Sequence, residues 1–150
     1  MKKQLLTGLM TSCLLILAIT KTTASHPENF PSRDTSKVSG NEKLVVLWTS
    51  GDREVALKMV FMYTFNARKF GWWEDITLLV WGPSQKLLTE DKELQGYVKK
   101  MIEDGIEVLA CKGCADQYAI AEKLIDIGVT VRYTGKDLTE FIKNRYLITF

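Results

Sequence analysis

Three mainly apolar runs, at residues 44–48, 76–81 and 106–110, the first unbroken and the others interrupted once, by Thr77 and Glu107, recur along the chain with helical stretches between them. A strand that is apolar on both faces has no solvent face, so it must be covered on both sides, as in a parallel sheet flanked by helices. Residues 52–70 read as the first helix, ended by Gly71 in the usual post-helix position. Residues 84–104 read as one amphipathic helix with Leu87, Leu94, Val98, Met101 and Ile102 on a stripe and Gly105 after it. A third helix runs from Ala115 to Ile125 and is closed by Gly128. Val129, Val131 and Tyr133 alternate with Thr130, Arg132 and Thr134, the pattern of a half-exposed strand near a sheet edge. Asp137-Leu138-Thr139-Glu140 resembles a capping box, with Leu138, Phe141 and Ile142 as the inner face, and residues 147–150 form a final strand. Five strands alternating with four helices predict an α/β fold: three layers, α/β/α, around a five-stranded, mostly parallel sheet.

Upstream of this alternation the chain reads as an exported protein. Lys2 and Lys3 precede an apolar stretch from Leu5 to Ile19, and Lys21-Thr22-Thr23-Ala24-Ser25 offers small residues for cleavage. That is the layout of a secretory signal peptide over residues 1–25, and it points to the periplasm. The stretch of about 15 apolar residues is short of the ~20 a spanning helix needs, so no stable membrane span is expected in the mature chain. Lipid anchoring at Cys13 fits less well, because the apolar run continues past it through Ile19. Residues 26–42, with two prolines and almost no large apolar side chain, read as a flexible linker before a domain at 43–150.

Cleavage changes the charge. Loss of Lys2, Lys3 and Lys21 leaves 17 of the 20 basic residues against all 18 acidic ones, a net charge of −1. A near-neutral domain gives no electrostatic case for nucleic acid. The only histidine, His26, lies in the linker, so the domain has no imidazole base and a Ser-His-Asp hydrolase is excluded.

Both cysteines left in the mature chain belong to Cys111-Lys112-Gly113-Cys114, at the end of a strand and the start of a helix. Unpaired N–H groups there favour a thiolate, the nucleophilic form of sulfur, and Lys112 adds a positive charge. Redox or sulfur-transfer use is the favoured reading, with Cys114 able to resolve an intermediate formed on Cys111. A structural disulfide remains open, although so small a loop gains the least from closure. Two cysteines without a domain histidine fall short of a structural zinc site, so no metal or cofactor is expected.

The loops at Thr49-Ser50-Gly51-Asp52, Trp81-Gly82-Pro83-Ser84, the CxxC and Thr134-Gly135-Lys136 all belong to the carboxyl edge of the sheet, where sites gather. Thr49 and Ser50 are candidates for holding an anion, against the plainer reading of a strand-to-helix turn. Trp81, Gly82, Pro83 and Ser84 are expected to wall the thiols. Apolar residues from Val55 to Phe65 cover most of the first helix, which favours self-association.

Residues 44–48, Trp81-Gly82-Pro83-Ser84-Gln85-Lys86-Leu87-Leu88, Ile106 through the CxxC to Ala115-Asp116, and Leu138-Thr139-Glu140-Phe141 together resemble the DsrE/DsrF-like family over about residues 43–150. The resemblance implies a flavodoxin-like fold, a homo-trimer or homo-hexamer, and a cysteine after a sheet strand that carries sulfane sulfur as a persulfide. Cys111 matches that carrier by position, and the partners implied are a sulfur donor or acceptor protein or a small thiol. Lys112, Gly113 and Asp116 fall within the matching stretch. Export and the second cysteine, Cys114, differ from the relay members, and the second thiol would also allow a thiol–disulfide redox couple. A non-catalytic assembly module with a structural disulfide is the reading from a different class.

Overall fold

In the computed structural model, residues 42–150 are described; the expected signal peptide, Cys13 and the expected linker up to residue 41 lie outside them. Strands β1 (Lys43–Trp48), β2 (Asp75–Val80), β3 (Glu107–Cys111), β4 (Thr130–Arg132) and β5 (Tyr146–Thr149) form one sheet in the order β4-β3-β2-β1-β5. Every neighbouring pair is parallel. The apolar runs occupy the three central positions and the alternating segment is an edge strand, as their patterns require.

Side chains alternate across the sheet, so the runs feed two cores. Leu44, Val46, Trp48, Ile76, Leu78, Val80, Val108 and Ala110 point to one face. That face is covered by α1 (Arg53–Val55), the π-helical segment Ala56–Phe61 and α2 (Met62–Lys69), by α3 (Pro83–Glu90) and α4 (Lys92–Glu103), and by α5 (Lys112–Tyr118) and α6 (Ala121–Ile127). Val45, Leu79 and Leu109 point to the other face, where Phe141 and Leu138 of α7 (Gly135–Asn144) cover them. The imbalance follows from topology. The chain steps from β1 to β4 in one direction, so crossovers of one hand lie on one face, and only the return from β4 to β5 uses the other.

Local chemistry sets several boundaries differently from the periodicity. The segment 84–104 is two helices, because Asp91 leaves the helical region (φ −108°, ψ 110°) and its carboxylate accepts from the N–H groups of Glu93 and Leu94. The third helix starts three residues earlier than its apolar stripe, at Lys112, and is broken at Ala119, a non-glycine residue at φ 55°. α7 starts at Gly135 rather than at the Asp137 box, and Asp137 instead pairs with Arg132 at 2.9 Å. Ile142 is 63% exposed, so the inner face of α7 is carried by Leu138 and Phe141. In the first helix Asp52 caps the N-terminus through the N–H groups of Glu54 and Val55. Val60 and Phe61 are buried, whereas Met59 and Met62 are 47% and 56% exposed.

Asp91 also accepts from Arg53 at 2.8 Å, tying the first helix to the α3–α4 corner. Its pKa is lowered, chiefly by the Leu94 N–H, with burial opposing and Arg53 and the Glu93 N–H assisting. The native state therefore holds the proton less tightly than the unfolded chain, so the stabilisation is complete above the ordinary carboxylate pKa and disappears as pH falls through the lowered native value. Asp91→Ala should cost about 1 kcal/mol near neutral pH, the usual worth of a cap. Urea denaturation of the two chains should show the gap narrowing as pH drops below 3.8.

Candidate functional site at the carboxyl edge of the sheet

The connections leaving β1, β2 and β3 pass over one face, and the one leaving β4 passes over the other. β3 and β4 are neighbours, so their carboxyl ends diverge at the switch point where open α/β sheets take up ligands. Cys111 is the last residue of β3 and is in register with Arg132, the last of β4. The distinctive thiol thus sits where topology alone would place a site.

The two sulfurs have different surroundings. Cys111 is 7% exposed and occupies the N-cap position of α5, where N–H groups have no helical partner. Burial pushes its pKa up, but the Cys114 N–H, the Cys114 thiol and the Gly113 N–H are among the donors that outweigh it, and the net shift is downward. α5 has only seven residues, so individual N–H donors aimed at the sulfur account for this effect better than a long dipole does. Cys114 shifts upward: burial raises it, the Gly82 N–H offsets part of this, and the neighbouring Cys111 sulfur raises it again. The arrangement is a thiolate acceptor beside a thiol donor.

Lys112 does not serve the sulfur as the sequence suggests. Its ammonium lies 2.7 Å from both carboxylate oxygens of Asp116 and 5.4 Å from the centre of the Tyr133 ring. Arg132, across the β3–β4 pair, is likewise bound by Asp137. Each cation beside Cys111 is matched by its own carboxylate, which leaves hydrogen bonds as the main means of stabilising a thiolate there.

The Trp81–Ser84 turn does reach the thiols. Gly82 adopts φ 68°, ψ −131°, a conformation glycine alone takes without strain, and from there its N–H reaches Cys114. Pro83 opens α3 and packs on Gly51, where a Cβ would lie 3.2 Å from the Pro83 Cβ. Trp81 is half-buried beside the α7 core. Ser84 is buried and occupied, donating to the Trp48 carbonyl at 2.7 Å and accepting from the Trp81 N–H. Thr49 and Ser50 are also committed: both N–H groups and the Thr49 hydroxyl donate to the Phe150 carbonyl, and Ser50 Oγ accepts from Asp52 N–H. They close the β1–β5 end of the edge rather than joining the thiols.

One contributor is absent from the sequence reading. Gln85 is wholly buried, and its Nε2 donates to the carbonyls of Val80 and Cys111 at 3.0 and 3.1 Å. From the first turn of α3 it fixes the backbone of Cys111 against the end of β2. A polar residue at an inward helical position, next to Ser84, was its only sequence signal.

Among the described residues no three potential ligands gather into a metal site, and no helix is long and apolar enough to cross a membrane.

The DsrE/DsrF-like family matches residues 42–150. The chain belongs to this family. Its structure is similar to that of BT1422, a conserved protein of unknown function from Bacteroides thetaiotaomicron, with 34% identity, 73% of this chain and 95% of that one covered, and a TM-score of 0.70. The ychN protein from E. coli shares the fold at 17% identity, covering 73% and 99% of the two chains with a TM-score of 0.58. MTH1491 from Methanobacterium thermoautotrophicum does so at 18% identity, covering 72% and 98% with a TM-score of 0.57. No match is found among curated proteins.

Gln85→Leu keeps the shape of the side chain but removes the donor that the Val80 and Cys111 carbonyls share. A loss of about 1–3 kcal/mol is expected by chemical denaturation, the cost of stranding buried polar groups.

Proposed function

We propose that this DsrE-like protein handles sulfane sulfur, with Cys111 as the persulfide carrier and Cys114 as the helper or resolving thiol. The observation that carries the proposal is the opposite displacement of the two thiol pKa values, Cys111 down and Cys114 up. It supports one sulfur being nucleophilic while its neighbour keeps a proton to donate. In the loading step the Cys111 thiolate attacks the outer sulfur of a donor persulfide. A bond forms between the two sulfurs, the donor S–S bond breaks, and the donor leaves as a thiolate. Discharge to an acceptor thiol, on a protein or a small molecule, repeats the exchange in reverse and needs no external oxidant.

The closeness of the two thiols, each of which shifts the other, favours a second reading. Deprotonated Cys114 can attack Cys111 of the persulfide, forming the Cys111–Cys114 disulfide and releasing hydrosulfide. The same pair then acts as a thiol–disulfide couple. Intact mass after exposure to a sulfane-sulfur donor separates these outcomes, since each carried sulfur adds about 32 daltons to an accepting thiolate. The expected result is one adduct in the parent chain, none in Cys111→Ser, and a longer-lived one in Cys114→Ser. A disulfide with released hydrosulfide supports the redox couple; absence of both in the parent contradicts sulfur handling.

The proposal extends to assembly and location. Met59 and Met62 are exposed on the first helix, and Met62 lines a groove of about 340 Å³ with Leu57, Phe61, Phe65 and Tyr97 and the charged Lys58 and Glu93, which supports a homo-oligomer formed through the first helix. The basic, apolar and small-residue layout of residues 1–25 supports export. Light scattering of the domain should exceed the monomer mass, and Met62→Glu should lower it by burying an unpaired charge at the contact. A parent chain that is monomeric at micromolar concentration rules the assembly out.

A further inference from the structure

Thr134 ends the loop between β4 and α7 and stands at the N-cap of α7, the position where threonine most often bonds a free N–H of the helix. Here it does not. Its side chain makes no cap hydrogen bond, and only its backbone carbonyl takes part, accepting from Leu138 N–H at 2.8 Å. The hydroxyl is wholly buried and has no hydrogen-bond partner, whether oxygen, nitrogen or sulfur, among the described residues. A buried hydroxyl left unpaired is costly, and one withheld from a cap also forgoes the stabilisation a cap brings. A fold retains such a group most readily when it has another use.

The register shows what lies nearby. Arg132 pairs with Cys111, and Thr134 follows two residues later, on the far wall of the crevice opened between β3 and β4. We infer that Thr134 is a positioning residue for Cys111: its buried hydroxyl is kept off the helix and free of other partners so that it can donate to an anionic sulfur there, as thiolate or as persulfide. The groups that the CxxC turn itself turns toward that sulfur are the N–H groups of Gly113 and Cys114 and the Cys114 thiol. Thr134 would reach it from across the switch point, joining β4–α7 to β3–α5 once the sulfur is charged. Its hydroxyl is also among the groups that lower the Cys111 pKa. The charged groups facing the crevice are Lys112 with Asp116 on α5 and Arg132 with Asp137 on the β4–α7 side, each ion paired with the other, and the Tyr133 hydroxyl, which lies 3.5 Å from Asp116.

The inference rests on the sulfur-handling reading for its purpose, but its test does not. In the full chain carrying Cys114→Ser, the rate of alkylation of Cys111 is measured against pH and read by mass spectrometry on the peptide that contains it. Thr134→Val, which keeps the shape and removes the hydroxyl, should raise the apparent Cys111 pKa by about one unit, a tenfold loss of thiolate at a fixed pH below it. Thr134→Ser should restore the parent profile. Thr134→Ala gives the same reading if the valine variant fails to fold. A merely structural threonine would change the denaturation midpoint and leave the pH profile in place, and an unchanged profile in the valine or alanine variant overturns the inference. A shifted profile in a chain that never loads sulfur keeps Thr134 as the thiolate donor and removes only the carrier reading. Loading with an unmoved profile does the reverse.

Discussion

Two consecutive buried side chains at the start of α3 hold the reactive edge of the sheet together. The Ser84 hydroxyl binds the end of β1 through the Trp48 carbonyl and accepts from the Trp81 N–H, just past the end of β2. The Gln85 carboxamide spans the ends of β2 and β3 through the carbonyls of Val80 and Cys111. Parallel strands run out of ladder partners at their carboxyl ends, where buried carbonyls must find donors elsewhere. Supplying those donors from one helix turn fixes three strand ends against one another. It also fixes the backbone of Cys111, so the directions of the N–H groups that face its sulfur are set before any ligand arrives.

That rigidity matters because charge is largely neutralised around the thiols. Lys112 and Arg132 flank Cys111 along the chain and across the ladder, yet each is held by a carboxylate. Exposed ion pairs of this kind contribute little and are screened by salt. Short-range donors to a sulfur that is 7% exposed are not screened in that way, so orientation rather than net charge separates the two thiols. The switch point between β3 and β4 is where connections bound for opposite layers leave neighbouring strands, and Cys111 stands at it.

The sheet was legible because its signal is redundant: all three central strands carry apolar residues on both faces, with polar residues confined to Thr77 and the strand starts Lys43, Asp75 and Glu107. The placement of the CxxC followed from the strand it ends. The helices were less legible where a single residue overrides periodicity. The apolar stripe runs straight through Asp91, but its carboxylate captures two N–H groups and starts a new helix. Ala119 takes a left-handed conformation that alanine gives no sign of in sequence. Lys112 looked like a thiolate partner by adjacency, but its reach along the helix brings it to Asp116 one turn on. The roles of Gln85 and Thr134 were not legible because they lie in the direction of one polar atom, which depends on a strand 26 residues away or on the register of β4.

The central claim is that one sulfur of the pair is poised as a thiolate while its neighbour stays protonated. A pH titration of the full, reduced parent chain with carbon-13-labelled cysteine, followed by NMR at the Cβ resonances of Cys111 and Cys114, tests it on the unmodified site. The account predicts two separate transitions, with Cys111 below the ordinary thiol value of about 8.5 and Cys114 above it. A single shared transition near that value, or Cys114 ionising first, would contradict it.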